Sequence, residues 1–487
     1  MKLNFTGTDL CAVGGTRTAP DARYDVVVVG AGRSGTAAAI AAAKTGAAVL
    51  LVDENPVSGA LMGNDVPLYF GGRMTATTQN SDRMLEAIFM SAPGLEQAME
   101  AGVEVLLGTS AWGVYRNGPG VNSLPEQVVG LADGARSWLV GFDRIVLATG
   151  ARDLALAFPG WNQPGVMGAA ALKMLLTRYD AFAGRRILVL GSHDLALETA
   201  LLAHDRGLEV AGLIEVRDAP QGSAELVAKL EAAGITIRCG QTIASAKGGI
   251  EGVEAAVLTS GEVIACDTIC VAVGLVPSIE LVDAMHGSRS LNAMRGGYIP
   301  FGEETVSAVG SCAGLADTGF DHIEYRMDWM RALSAISAPE TIICQCEEVT
   351  RADLLGVQPP HYLARPAPMC ARSLETLLED GPANPDQIKR LTRAGMGVCQ
   401  GRRCRDQVAM LLAIEADQPF GTIPLATHRA PVRPIPLKIM ADWHETEAMT
   451  AAWDVWFGIP TQWVPVQDLG TRHEDEHREM LYTGMYE

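Results

Sequence analysis

Apolar residues along this chain fall into short unbroken runs, separated by glycine turns and by alanine- or leucine-rich stretches of helical period. That is the pattern of strands buried on both faces with helices packed between them. In the first such unit, YDVVVV (24–29) is followed by Gly30-Ala31-Gly32-Arg33-Ser34-Gly35, then TAAAIAAAKTG (36–46), then AVLLV (48–52), which ends at Asp53. The expected order is strand, helix, strand, with Gly46 closing the helix. RRILVLGSHDLALETALLAHDRGLEVAGLIEV (185–216) repeats the pattern with a turn at Gly191 and a stop at Gly207. Further apolar runs at 143–153, 267–278 and 307–318 run into glycine turns, among them Ala148-Thr149-Gly150 and Gly310-Ser311.

The first unit carries a dinucleotide fingerprint. In G-x-G-x-x-G the first glycine permits the tight turn, the second lets a pyrophosphate approach the backbone, and the third lets helix pack on strand. Those positions are Gly30, Gly32 and Gly35. The helix N-terminus, with roughly half a positive charge, faces the phosphates. Asp53, eighteen positions beyond Gly35, stands where a carboxylate accepts hydrogen bonds from the adenosine ribose, with Glu54 beside it. In the second unit the matching positions are Gly191, His193 and Ala196. A side chain at His193 obstructs the approach of a pyrophosphate, and Glu215 comes one residue late for the ribose. The expectation is a nucleotide-type scaffold that has lost NADH, holding another nucleotide or nothing.

A length of 487 residues exceeds what one core supports. A hydrophobic share of 48% with 20% charged residues marks an ordinary globular protein, not a disordered one. The formal net charge of −19 argues against nucleic acid or an anionic membrane surface as partner. No apolar run approaches the roughly 20 residues that span a bilayer, and the opening MKLNFTGTDLCAVGG lacks the apolar stretch of a secretory signal. A cytoplasmic location is therefore expected.

The ten cysteines are unevenly placed. Cys344-x-Cys346 and Cys399-x4-Cys404 flank a segment with expected helices at 350–355 and just after Cys404. Four thiolates are soft ligands that suit an iron–sulfur cluster or zinc. Cys-x-Cys is tighter than a zinc-ribbon knuckle, and Gly395, Gly397 and Gly401 leave space for a cluster near the backbone. Four unligated thiols remain the alternative. Cys11, Cys239, Cys266, Cys270 and Cys312 read as small buried hydrophobes, with Cys312 set apart by its place beside the Gly310 turn.

Two resemblances follow from these stretches. The Ala148-Thr149-Gly150 strand end, the 267–278 strand and SAVGSCAGLADT (307–318) resemble two-dinucleotide-domain flavoproteins of the glutathione-reductase type. ICQCEEVT and GMGVCQGRRC resemble the bacterioferritin-associated-ferredoxin-like (BFD-like) [2Fe–2S] domain, fused to such a flavoprotein in the A-type subunits of heteromeric amine-oxidising dehydrogenases. That group includes opine oxidases, hydroxyproline and proline dehydrogenases and hydrogen cyanide synthase; the α chain of sarcosine oxidase is related to it. The resemblance implies an α/β fold with an N-terminal extension (1–23) and a discontinuous FAD domain (24–155 and 275–337). A degenerate NAD(P)-like domain (156–274), a BFD-like [2Fe–2S] domain with an insertion (338–417) and a tryptophan-rich tail (418–487) complete it.

The implied FAD contacts are Gly30, Gly32, Ser34, Gly35, Asp53, Glu54, Thr149, Gly150, Gly310 and Ser311; Ser311 stands where the family has an acid. The implied cluster ligands are Cys344, Cys346, Cys399 and Cys404, with a longer spacer than the family's that brings in Cys370 as bystander or alternative ligand. The implied function is electron transfer within an FAD-dependent amine or imino-acid dehydrogenase or oxidase. The implied partners are a smaller D-amino-acid-oxidase-like flavoprotein subunit, in some relatives a further small subunit, and a quinone or other carrier as acceptor. FMN at a subunit junction is a further cofactor suggested by sarcosine oxidase. Two other functions compete: a stand-alone NAD(P)H-dependent ferredoxin-type reductase, and a non-catalytic assembly scaffold. The sequence designates no acid–base catalyst.

From Gln418 a proline-rich stretch is expected to run extended over the surface, ahead of a helix in a region with four of the eight tryptophans, an aromatic cluster that reads as a subunit interface or as a cover over an apolar patch of the chain's own body. His473-Glu474-x-x-His477 matches a zinc-protease signature, but its acidic surroundings read as a solvated charged helix.

Overall fold

The computed structural model describes residues 19–56, 74–75, 78, 80–116, 124, 126–302, 305–360, 372–441 and 470–476. Cys11, Cys370, His477 and the tryptophans at 443, 453, 456 and 463 lie outside the described residues.

Val26–Val29 are buried because Ala22–Val29 runs in the middle of a seven-stranded sheet, parallel to Val49–Val52 on one side and Ser137–Leu147 on the other. Glu104–Leu106 extends one edge, and the antiparallel strands Val128–Ala132 and Ser110–Tyr115 extend the other. Val306–Ala308 returns from late in the chain to pair with Ser137–Leu147. The helix Arg33–Ala43 connects the first two strands and packs by Gly35, Thr36 and Ala39.

A second sheet has five strands, all parallel, in the order Ile237–Arg238, Glu209–Ile214, Arg186–Leu190, Thr268–Val271 and Val166–Gly168. Ile187–Leu190 and Thr268–Val271 at its centre are buried, which is why they read as unbroken apolar runs. An antiparallel meander, Ile243–Gly249, Gly252–Leu258 and Val263–Ala265, flanks it. The chain leaves the first sheet through Ala151–Asp153 and comes back through Leu275–Pro277, and these two segments pair antiparallel. The folds of both units, the strand–turn–helix order and the crossing at Ala148–Gly150 follow the expected α/β two-sheet architecture.

The helix His322–Ile336, capped by the Asp321 carboxylate, leads into the cysteine region and packs on the helix Arg405–Glu415. Trp161 Nε1 donates to the Ile342 carbonyl at 2.6 Å, tying the cysteine region to the loop before the second sheet. The 350–355 helix is present as Arg351–Leu355, started by a Thr350/Asp353 capping box. Part of the long cysteine spacer forms the helix Leu374–Asp380.

The proline-rich tail corrects one expectation. Apart from a 3-10 turn at Phe420–Thr422, residues 418–436 are extended but inlaid, not laid over the surface: Ile423, Leu425, His428 and Val432 are buried. Apolar side chains point inward, and the backbone and polar groups are taken up locally. Tyr298 donates to the Ile423 carbonyl, Lys389 to the Thr427 carbonyl, and the Val432 N–H to Trp112 O at 2.8 Å. Among the described residues, no helix is long and apolar enough to cross a membrane.

Candidate dinucleotide cleft and cysteine centre

The carboxyl ends of Ala22–Val29 and Val49–Val52 open onto a cleft of about 260 Å³. Gly30, Gly32, Asp53, Glu54, Thr149 and Gly150 line it, joined by Arg178, Glu280 and Arg433, which the sequence does not single out. The three fingerprint glycines differ in what demands them. A side-chain carbon on Gly30 would collide with the Ala148 carbonyl, and one on Gly35 with the Gly30 carbonyl, so the fold itself requires both. A carbon on Gly32 would meet nothing within 4 Å, and its backbone (φ −70, ψ 177) is open to any residue. Only an occupant of the space before it gives Gly32 a reason to lack a side chain.

Asp53 anchors the turn: its carboxylate accepts from Ala31 N at 2.6 Å and from both nitrogens of Asn55. Ser34, Gly310 and Ser311 stand together at the exposed edge, where a carbon on Gly310 would press on Ser34 Oγ. Thr149 Oγ1 is committed to the Ser278 carbonyl at 2.7 Å, so it holds the crossing together and faces the cleft with its remaining atoms. Glu54 pairs with Arg433 at 2.7 Å. Burial pushes the Glu54 carboxyl up, but Arg433, with Arg402 behind it, holds it below the usual range.

The second unit has the same backbone and a different filling. His193 (φ −82, ψ 175) repeats the conformation of Gly32 but carries an imidazole there, at the wall of a cleft of about 500 Å³ that Asp194, Gln221, Ser223 and Phe320 also line. Nε2 lies 3.1 Å from the Val273 carbonyl, and Nδ1 accepts from Leu195 N, so the histidine caps the helix Asp194–Asp205. The ring stacks on Phe320 and meets Tyr325 edge-on. Burial, then the neighbouring His322, lowers the His193 pKa to about 4, so it is neutral at pH 7. Glu215 is fully buried and accepts from Ser192 Oγ and Tyr325 OH. The positions that meet pyrophosphate and ribose in a working site are thus bonded internally.

The four expected cysteines come together as two pairs. Cys344 lies beside Cys404, and Cys346 beside Cys399. Gly395 N donates to Cys344 Sγ at 3.4 Å. Three side chains stitch the two loops: Gln407 to the Ile343 carbonyl, Arg403 to Gln345, and Arg393 to Glu347. Among the described residues, no three His, Cys, Asp or Glu converge on a point that suits a single metal ion. Of the other described cysteines, Cys266, Cys270 and Cys312 are buried, while Cys239 is half-exposed, against expectation. His473 sits on an exposed helical turn bonded to Glu476, with no other ligand gathered around it among the described residues.

Between the cleft and the cysteine loop lies a buried charge array. Arg152 pairs with Glu280 and with Asp406 (2.8 Å), and its Nε donates to the Arg402 carbonyl at 3.0 Å. Asp283 pairs with Arg405 and Arg289. Burial pushes Glu280 up, yet Arg152, then Arg433, the backbone and Arg405 bring its pKa down to about 2. Glu280 lines the cleft, whereas Arg402, Arg405 and Asp406 belong to the cysteine region.

A two-sheet flavoprotein fold of this kind is borne out by sequence comparison: residues 24–336 match the pyridine nucleotide-disulphide oxidoreductase family, and the chain belongs to it. The fold implies FAD. Residues 369–443 match the sarcosine oxidase A3 domain. Within the family the chain is similar to the A-type subunit of opine oxidase from Agrobacterium tumefaciens, 24% identical over 86% of this chain and 91% of that one. It is 25% identical to the HcnB subunit of hydrogen cyanide synthase from Pseudomonas aeruginosa, over 78% and 90% of the two chains. The alpha subunit of sarcosine oxidase from Rhizobium meliloti is 26% identical over 78% of this chain but only 38% of its own length. Among solved structures, L-proline dehydrogenase from P. horikoshii superposes with a TM-score of 0.55 at 19% identity, over 87% of this chain and 81% of that one. These are the relatives that the cysteine and glycine motifs imply.

Proposed function

We propose that this chain is the electron-transfer subunit of a heteromeric FAD-dependent amine or imino-acid dehydrogenase or oxidase, of the opine, proline or sarcosine kind. The observation that carries the reading is His193. With an imidazole where the pyrophosphate would approach and the ribose-position carboxylate internally bonded, the chain is not built to take hydride from NADH, so electrons must reach it from another flavoprotein. A smaller D-amino-acid-oxidase-like subunit would oxidise the substrate's C–N bond, and a quinone or other carrier would take the electrons away. Relatives named as subunits of opine oxidase, sarcosine oxidase and hydrogen cyanide synthase support a multi-subunit enzyme.

In this reading residues 24–155 and 275–337 bind FAD, 156–274 form a scaffold without NADH, and 338–417 hold a [2Fe–2S] cluster. Gly30, Gly32, Ser34, Gly35, Asp53, Glu54, Thr149, Gly150, Gly310 and Ser311 would surround the FAD. Cys344, Cys346, Cys399 and Cys404 would ligate the cluster. A single ion wants its ligands around one point, whereas a binuclear cluster takes two thiolates per iron, and the paired cysteines fit the second arrangement. FAD would supply a two-electron centre and the cluster a one-electron centre, while the protein sets position and potential. FMN would belong to the junction with the partner.

Two measurements test this. Purified with its native partners, the chain should carry flavin and about two irons with two sulfides; Cys399→Ser should remove the iron and leave the flavin. Iron unchanged in that variant, or zinc in the wild type, would sink the cluster assignment. Mixed anaerobically with NADH, the flavin should stay oxidised for minutes, and rapid bleaching would establish the stand-alone reductase instead.

A further inference from the structure

The family match that covers the dinucleotide fingerprint ends at residue 336, yet one wall of the cleft is made by residues almost a hundred positions further on. Val432 and Arg433 line it, from the inlaid C-terminal segment. That segment is held on both sides of the cleft's wall. Thr427 bonds Asp386 by its N–H and hydroxyl, Val432 N bonds the Trp112 carbonyl, and Arg433 pairs with Glu54. Gly113 leaves room for Ala430, since a carbon there would approach the Ala430 methyl to 3.0 Å.

The charges lining the cleft show what Arg433 is placed to do. Three carboxylates line it: Asp53, Glu54 and Glu280. Asp53 is engaged by Ala31 N and Asn55, and Glu280 by Arg152. A dinucleotide would add two phosphate charges, and among the described lining residues only Arg178 and Arg433 are cationic. Arg433 is the one beside the end of Val49–Val52, where the adenosine ribose lies in a fingerprint of this type. Glu54, next to the expected ribose acceptor Asp53, accepts from Arg433 and fixes the guanidinium at the cleft wall.

We infer that Arg433, carried in by the C-terminal segment, is a ligand-binding residue of the dinucleotide site: its guanidinium donates to the adenosine-diphosphate half of the bound dinucleotide. The segment is therefore part of the binding site. This rests on reading the cleft as a dinucleotide site, and ADP, which contains only the half concerned, is the probe that separates the two.

The experiment is calorimetric titration of ADP into the flavin-stripped full-length chain, alongside flavin content as purified. A charge-assisted hydrogen bond is strong enough that Arg433→Ala should weaken ADP by about tenfold or more, with Arg433→Lys recovering most of the loss. Equal ADP affinity in wild type and Arg433→Ala would overturn the inference and leave the dinucleotide reading intact. A loss of the same size in Arg433→Lys as in Arg433→Ala would also overturn it, assigning the effect to the fit of the segment and not to a donated hydrogen bond. A wild-type chain that binds neither ADP nor flavin would overturn the reading beneath it.

Discussion

A Gly32→His chain should fold normally and purify without flavin. The backbone at Gly32 already has the conformation that His193 adopts in the second unit, and a side-chain carbon there meets nothing within 4 Å. The substitution therefore costs the flavin-free protein little, within about 1 kcal/mol. The imidazole would instead occupy the space before the helix Arg33–Ala43 and take the N–H groups that a pyrophosphate needs. FAD affinity should fall by about a hundredfold or more, equivalent to about 2.8 kcal/mol. The measurements are flavin absorbance per chain and the urea midpoint compared with flavin-stripped wild type, because bound flavin itself raises stability. Gly35→Ala is the contrasting variant. Its added methyl meets the Gly30 carbonyl, so it should lower the flavin-free stability as well, by about 1–3 kcal/mol. Retention of FAD by Gly32→His would remove the case for that cleft.

The second large effect is expected at Arg152. Arg152→Met leaves Glu280 and Asp406 without their buried cation and the Arg402 carbonyl without a donor. Breaking one side of a buried ion pair typically destabilises by about 3–5 kcal/mol. The pH dependence identifies the cause. Glu280 has a folded pKa of about 2 against an ordinary 4.5. Its contribution is therefore complete above pH 4.5 and is lost as pH falls from there toward 2. Arg152 is the largest attractive influence on Glu280, so the variant's stability should fall less steeply across that window. Urea midpoints from about pH 3 to pH 7 read both effects. An unchanged acid slope would place the cost elsewhere than in the Arg152–Glu280 pair.

The parts of this protein that are legible in the sequence are those whose chemistry is local. Gly30, Gly32 and Gly35 sit within six residues between a strand and a helix, and the backbone requirements of a tight turn are written in those residues alone. Cys344-x-Cys346 and Cys399-x4-Cys404 are legible for the same reason, each pair being set by a short loop. What pairs with what across the fold is not. Arg152 meets Asp406 over 254 positions, and Arg433 meets Glu54 over 379. An arginine that will become buried looks in sequence like any surface arginine. The inlaid course of the tail escapes the sequence because prolines at 424, 431, 434 and 436 signal extended chain, and extended chain suits a groove as well as a surface. Glu215 stands out by its position, but the hydrogen bonds from Ser192 and Tyr325 that consume it come from 23 and 110 residues away.

The antiparallel pair of Ala151–Asp153 with Leu275–Pro277 is the two-stranded neck through which the chain passes between its sheets. In a flavoprotein that must admit and release a nicotinamide, such a neck is the natural pivot for swinging one lobe against the other. Here Arg152 sits in the middle of it with its guanidinium fastened to Glu280, Asp406 and the carbonyls of Pro277 and Arg402. Any rotation about the neck would have to pull a buried cation away from two anions at once. The pivot is bolted, and the lobe that bears His193 is braced against the rest of the body by the same cation that closes the cleft's charge balance.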